Sequence, residues 1–372
     1  MANRTAPSCG RKKRKERWIM NITITKTQTP KPLPDSDALG FGRIFTDHMF
    51  VMEYASGAWR DPRILPYGDI SLPPAAAVFH YGAEVFEGLK AYRRKDGGVQ
   101  LFRPLDNMHR LNDSAARLCL PQIDPDMGLE ALKALVKLDA AWVPSAPGTS
   151  LYLRPVLFAT DPDLSLHGIR QASFYIIASP SGSYYKEGLA PVRIMIETAD
   201  VRAVRGGTGY AKCGGNYAAA TRAGDRAEKL GFSQVLWLDG VERKYVEEVG
   251  SMNVMFKIEG RVVTPQLTGS VLPGITRRSC IQLLQDWGVP VEERLVSVEE
   301  LLSAARDGRL EEAFGCGTAA VVSPIGELVF GQEQAVIHQG EIGPLTQRLY
   351  DALTGIQYGT APDPHGWAMR VL

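Results

Sequence analysis

The stretch GGTGYAKCGGNYAAA, residues 206–220, holds a single charge, Lys212, among glycines, alanines and other small or uncharged residues. A lysine denied water and counter-charge has its ammonium form disfavoured, so its pKa falls and a nucleophilic amine becomes available to a carbonyl. The same fifteen residues also read as a flexible glycine loop with an exposed lysine. Alone they leave both readings open. A helix from Tyr217 to Leu230, stopped by Gly231, follows the loop.

Length and composition limit what could use such a lysine. At 372 residues the chain exceeds one ordinary core, and its 45% hydrophobic residues can fill two domains. No apolar run approaches the roughly 20 residues that a bilayer demands, so the reading is a soluble, cytoplasmic chain without a membrane partner. Formal charge is +1, yet residues 1–19 carry Arg4, Arg11, Lys12, Lys13, Arg14, Lys15 and Arg17 against Glu16 alone, leaving 35 basic and 40 acidic residues elsewhere. That balance suits an enzyme of small molecules and not a nucleic-acid binder. The run GRKKRKER reads as a nucleic-acid or nuclear-localisation tail, as part of a targeting peptide, or as sequence upstream of a true start at Met20. The last is preferred, because the run lacks the apolar segment of a secretory signal and its charges are clustered. Disorder is expected for residues 1–19. Five scattered cysteines without C-x-x-C spacing point to a reducing compartment and no structural zinc. Six dispersed histidines offer no close pair for a metal.

Hydrophobic periodicity alternates between strand and helix, giving an α/β (mixed α+β) fold. Residues 124–142 read as one helix and residues 173–179 (SFYIIAS) as a buried strand. Gly, Pro and Ser crowd residues 180–191, which places an interdomain linker there, between a smaller domain at 20–179 and a larger strand-rich domain at 192–372. The larger one contains VRIMIE, then SQVLWLDG with an Asp239-Gly240 turn, then NVMFKIEGRVVTP with a hairpin turn at Glu259-Gly260. Helices are expected from Arg277 to Trp287 and from Val298 to Asp307, the latter opened by Ser297 and Glu300 in capping-box spacing.

Four further segments bear on Lys212. In EEVGSMNVMF, Glu248 precedes an apolar strand, where a carboxylate beside a pyridine ring would keep the ring nitrogen protonated; an isolated strand-end acid reads equally as a turn cap. In VLPGITRRS, Pro273 and Gly274 lead into a helix whose first amides belong to Ile275 and Thr276, a natural phosphate seat that any Pro-Gly turn before a helix would resemble. In FGCGTAAVVSP, Gly315 and Gly317 leave the backbone bare and Thr318 offers a hydroxyl. The segment also fits G-x-G-x-x-A, but Pro324 follows too soon for the dinucleotide helix and no acid appears about twenty positions on. In LFRPLDNMHRLNDSAARL, Arg110 shares a helix with Asp106, Asn107 and Asp113; it could clamp a phosphate or carboxylate, or form a surface ion pair.

Together these segments resemble the class IV, fold-type IV aminotransferases that use pyridoxal 5'-phosphate, and most closely the branched-chain amino acid aminotransferases. YGAEVFEGLKAYR, LYLRP, KCGGNY, QVLWL, EVGSMN, LPGITRR and GCGTAA stand in the family's order and spacing between about residues 41 and 359. The resemblance implies that Lys212 is the Schiff-base lysine, Glu248 the partner of the pyridine nitrogen and Tyr217 that of the phenolic oxygen. It implies phosphate-binding positions at Arg110, Ile275, Thr276 and Thr318, with Gly317 beside them. Tyr152 and Arg154 match side chains near the substrate carboxylates, and the amides of Thr318 and Ala319 match groups that hold the α-carboxylate. Phe41, Tyr81 and Phe86 match the apolar side-chain pocket, and Gln234 and Ser251 match positions near the cofactor. Leu164 and Leu166, at the tip of DPDLSLHG, match a loop that closes the pocket of the other subunit in a homodimer.

The implied reaction is reversible transfer of the amino group of L-leucine, L-isoleucine or L-valine to 2-oxoglutarate. Two alternatives on the same fold are D-amino acid aminotransferases and aminodeoxychorismate lyases, and a third, of another class, is an idle binding module acting through the basic N-terminus. The chain departs from related animal enzymes where they carry a C-x-x-C pair after the GTA segment: here Ala320 and Ser323 stand, so no thiol switch of that type is expected.

Overall fold

In the computed structural model, described over residues 20–182 and 189–372, the chain forms two nine-stranded sheets and seven α-helices. Residues 1–19, expected to be a disordered tail, and half of the expected linker, residues 183–188, lie outside the described residues. The first sheet holds β1 (Thr23–Ile24), β2 (His48–Ala55), β3 (Ala58–Pro66), β4 (Glu84–Phe86), β5 (Leu89–Arg93), β6 (Val99–Phe102), β7 (Ser150–Ala159) and β8 (Ala172–Ser181). The second holds β9 (Val192–Ile196), β10 (Gln234–Leu238), β11 (Val246–Val249), β12 (Asn253–Ile258), β13 (Arg261–Pro265), β14 (Val291–Arg294), β15 (Leu310–Gly317), β16 (Val321–Phe330) and β17 (Glu333–Val336). The last strand, β18 (Ala368–Arg370), returns to pair with β6 of the first sheet, a crossing that a simple division at the linker does not anticipate. The helices are α1 (Ala77–Tyr81), α2 (Pro104–Arg117), α3 (Pro125–Leu138), α4 (Gly214–Lys229), α5 (Ile275–Asp286), α6 (Val298–Arg306) and α7 (Pro344–Tyr358).

Each sheet has its own apolar core. In the first, Phe50, Leu101, Leu151, Leu157 and Phe174 pack under α2 and α3 through Met108, Leu111, Leu132 and Leu135. In the second, Leu236, Val254, Phe256 and Leu328 pack with Leu301 and Leu302 of α6. A third cluster joins the two: Tyr92 and Phe102 of the first sheet meet Phe314 and Cys316 of β15, Leu283 of α5 and Leu349 and Leu353 of α7. Burying these side chains removes the apolar area that would otherwise let the sheets separate, and it fixes the groove between them.

Local sequence accounts for most element ends. The β12–β13 hairpin turns on Glu259 and Gly260, both at positive φ (50° and 76°), the geometry that two-residue hairpins demand. Ser297 Oγ accepts the Glu300 amide at 3.0 Å and starts α6. The helix expected over 124–142 is instead α3 followed by a separate turn at Ala140–Trp142, because Asp139 is drawn inward to the His48 ring at 2.6 Å. The strand expected at 173–179 runs on to Ser181, two residues into the assigned linker, since its ladder with β7 continues to Ser150. Helix α4 begins three residues before Tyr217. Its first residue, Gly214, lies close against the Glu84 side chain: a Cβ there would lie 2.0 Å from Glu84 Oε1, so that carboxylate would have to move aside.

Candidate active site

Lys212 sits in the last stretch of chain before α4, and that stretch is held rather than loose. Asn216 Nδ2 donates to the carbonyls of Thr208 and Ala211, both at 2.8 Å. The Lys212 amide donates to Ser114 Oγ of α2 at 2.9 Å, and its carbonyl accepts the Phe86 amide at 2.9 Å. The side chain enters a cavity of about 180 Å³ between the two sheets. There Nζ lies 2.7 Å from Tyr217 Oη and 5.0 Å from the centre of the Phe86 ring. Burial pushes the amine down to about 8, with the nearby Arg110 charge acting the same way and Glu87 opposing. The reading of an exposed loop lysine is thereby corrected. Burial also raises the Tyr217 phenol to about 12, with Glu248 adding to the effect, so Tyr217 stays protonated.

Arg110 projects from α2 into the same cavity, but its ion pair is buried and not on the surface. Nε and Nη2 grip Glu87 at 2.7 and 2.9 Å, and Nη1 reaches the Pro273 carbonyl at 3.3 Å. Glu87 is wholly buried; burial alone would raise its carboxyl, yet the Arg110 guanidinium and Asn107 bring it below the ordinary value. The Pro273 contact ties Arg110 to the N-terminus of α5, which begins at Ile275, where the Pro273-Gly274 turn puts its first amides and two residues before the expected Arg277–Trp287 span. First-turn amides of a helix have no partner within it, and those of Ile275 and Thr276, which line the cavity, have no acceptor among the described residues. Gly274 permits the approach, since a Cβ there would lie 1.9 Å from Asn253 Oδ1.

Across the cavity stands Glu248 of β11. It accepts the Leu272 amide at 2.8 Å and lies 3.0 Å from Arg202 Nε. Burial raises its carboxyl above the ordinary value, and the Arg202 charge and the Leu272 amide only partly offset this. Arg202 also donates to the carbonyls of Gly209 and Ser270, so one guanidinium links Glu248 to the lysine loop. The turn after β15 supplies the fourth wall. Thr318 and Ala319 line the cavity, and their backbone N–H groups have no acceptor among the described residues. A strand, β16, follows this turn, which excludes the strand-turn-helix geometry of a dinucleotide fingerprint. The bare backbone of Gly315 and Gly317 serves Met252, whose side chain would lie 2.9 to 3.0 Å from a Cβ at either position.

At the mouth, Arg154 stacks over Phe86 (4.6 Å) and donates to Tyr152 Oη at 2.9 Å, while Phe41 meets Tyr152 edge-on at 4.9 Å. Arg154 Nε is buried without a partner, and among the described residues no carboxylate pairs with this guanidinium. Ser251 also lines the cavity. Four expected residues do not: Gln234, Tyr81, Leu164 and Leu166. Tyr81 Oη donates to the Leu164 carbonyl at 2.5 Å, and the two leucines are 61% and 82% exposed on the loop between β7 and β8. Gln234 sits behind the site, beside Gly250. Glu87, Arg202, Asn253 and Ser114 are contributors that the sequence reading gave no role. Glu87 had a legible signal: it alternates with Val85 and Leu89, both buried, and an acid in an apolar alternation needs a buried cation. Arg202 had none.

Residues 84–328 match the family described as Amino-transferase class IV. Over 351 residues the chain is 56% identical to branched-chain-amino-acid aminotransferase 2 of Bacillus subtilis, an alignment spanning 94% of this chain and 97% of that protein. The crystal structure of the Escherichia coli branched-chain amino acid aminotransferase matches with a TM-score of 0.73 at 28% identity, covering 88% of this chain and 99% of that one. The Thermobaculum terrenum branched-chain amino acid aminotransferase in its PLP form matches with a TM-score of 0.73 over 87% of this chain and 98% of that one, at 24% identity, a likeness of fold.

Proposed function

The chain belongs to the class IV aminotransferases, a family that depends on pyridoxal phosphate, and from that membership we propose that it transaminates L-leucine, L-isoleucine and L-valine reversibly with 2-oxoglutarate, yielding branched 2-oxo acids and L-glutamate. The observation that carries the reading is Lys212: a buried amine pushed down to about 8, hydrogen-bonded to Tyr217 and facing the same cavity as a buried carboxylate.

The donor set fits the cofactor. Lys212 would hold its aldehyde carbon, Tyr217 its phenolic oxygen and Glu248 its ring nitrogen. Arg110, the free amides of Ile275 and Thr276, and Thr318 would hold its phosphate. When bound, pyridoxal phosphate supplies an electron sink for the negative charge left at the substrate's α-carbon. Roughly a tenth of a lysine with such a pKa is neutral at pH 7, and this neutral amine takes the α-proton. Tyr217 holds that amine in place. Glu248, kept against Arg202, holds a proton at the ring nitrogen. The Thr318 and Ala319 amides bind the α-carboxylate.

One pocket must take a branched apolar side chain and a glutamate side chain. Phe41, Phe86 and Tyr152 give it apolar walls, and Arg154, which forms no salt bridge among the described residues, offers the second carboxylate a partner. Leu164, Leu166 and Tyr81, exposed in the single chain, support a homodimer in which this loop covers the partner's pocket. The test is an absorbance spectrum of the purified protein. L-leucine should abolish the cofactor's visible band and 2-oxoglutarate restore it. A response to D-alanine or aminodeoxychorismate, with none to L-leucine, contradicts the proposal.

A further inference from the structure

Lys90 lies in β5, paired across the sheet with Tyr152 of β7. Its Nζ donates at 2.7 Å to the carbonyl oxygen of Ala319, and among the described residues no carboxylate pairs with it. Burial pushes this amine, like that of Lys212, down to about 8. A void of about 20 Å³ beside it is also lined by Ile275, Thr276 and Thr318, so Lys90 stands behind the anion-binding wall of the cavity. The carbonyl it holds belongs to the turn joining β15 to β16. That turn ends at Val321 with φ 63°, a left-handed conformation that a β-branched side chain adopts only where its surroundings enforce it. The same turn presents the amides of Thr318 and Ala319, which have no acceptor among the described residues.

A lysine withdrawn from water without a counter-ion is costly, and the expense is relieved when an anion arrives nearby. We infer that Lys90 is a positioning residue for the substrate's α-carboxylate: it pins the strained Thr318–Ala319 turn so that both amides face the cavity, and its charge favours the anion they bind. The inference rests on the aminotransferase reading and adds to it a residue outside the cavity lining. It also separates two carboxylate sites. Arg154 would act on the glutamate side chain alone, whereas Lys90 acts on the carboxylate that every substrate carries.

The test compares holoenzyme of the parent, Lys90→Met and Lys90→Arg, with Lys90→Gln in reserve should the methionine variant fail to fold. Two inhibitors competitive with L-leucine are used: 4-methylpentanoate, and its uncharged analogue 4-methylpentanamide. In Lys90→Met the inhibition constant of the carboxylate should rise by about tenfold or more, the size of a lost charge-assisted contact, while the amide changes by less than about twofold. KM for leucine and for glutamate should rise in the same proportion with kcat within about threefold, and Lys90→Arg should recover the carboxylate to within about threefold of the parent. Equal weakening of both inhibitors would reduce Lys90 to a structural pin and overturn the inference. No change in either, or no recovery by arginine, would overturn it as well. Failure of the parent enzyme to transaminate leucine would instead refute the functional reading, and that outcome is visible before any variant is made.

Discussion

Glu87→Gln tests the buried pair on which the phosphate end of the cavity is built. Oε1 takes Arg110 Nε, while Oε2 takes Arg110 Nη2, Asn107 Nδ2 and the Gly88 amide, at 2.7 to 3.1 Å. Glutamine keeps the volume but not the charge, and whichever way its amide turns, its nitrogen meets a donor where an acceptor is needed. Arg110, itself buried, is then left without compensation. Breaking one partner of a buried pair costs about 3–5 kcal/mol, and a glutamine oxygen at the Oε2 position would keep the Arg110 Nη2, Asn107 and Gly88 contacts, which places the expected loss near the lower figure, about 3 kcal/mol. Removing the stranded charge as well, in Glu87→Gln with Arg110→Met, should restore at least about half of it. The loss is measured from urea unfolding midpoints with a shared m-value. The carboxyl of Glu87 is lowered in the fold, so its contribution is present at neutral pH and disappears as pH falls through that lowered value; the deficit of the variant should shrink in acid. A loss under about 1 kcal/mol at neutral pH, or a double variant less stable than the single, would refute this reasoning.

Glu248→Gln removes the negative charge proposed to face the ring nitrogen, and turnover should fall by about 100-fold or more while cofactor affinity changes less; turnover within about threefold of the parent, under roughly 1 kcal/mol, would mean that the charge is not used. Mild peroxide should leave activity largely unchanged, because Cys213, Cys280 and Cys316 are buried and the Cys280 thiol is held well above its ordinary pKa by contact with Cys316 and by burial; rapid loss reversed by a thiol reductant would show otherwise. Leu164→Ser with Leu166→Ser should raise KM for leucine far more than for glutamate, since an apolar cover serves only the branched side chain. Sedimentation showing an active monomer, or equal losses for both substrates, would count against the shared pocket.

Strands and helices of the second sheet were legible because their signals are local. The Glu259-Gly260 turn, the Ser297 cap and the apolar runs of β10 and β12 each act within a few residues. Ends set by distant contacts were not legible. The expected helix over 124–142 breaks because Asp139 answers His48 from β2, and α4 opens at Gly214, packed against Glu84 of β4. The return of β18 to β6 depends on pairing between the chain's end and its first third. For the site the division is similar. Lys212, Glu248 and the α5 N-terminus were candidates by residue type and punctuation, and the order of the segments around them, shared with the family they resemble, gave them their roles. Their supports, Arg202 on Glu248 and Lys90 on Ala319, are ordinary basic residues in ordinary contexts, and only the fold brings them to their partners. The leucine-tipped loop was legible as an anomaly, two apolar side chains at a loop tip, and both are exposed in this chain.

The central claim is that Lys212 is the residue joined covalently to the cofactor. Lys90 shares its depressed pKa and stands behind the same wall, so the two are the relevant competitors. Borohydride reduction of the holoenzyme followed by peptide mapping distinguishes them: the account requires the label on Lys212, with Lys212→Ala losing both the visible absorbance and nearly all transamination. A label on Lys90 or Lys229, or undiminished absorbance in Lys212→Ala, would contradict it.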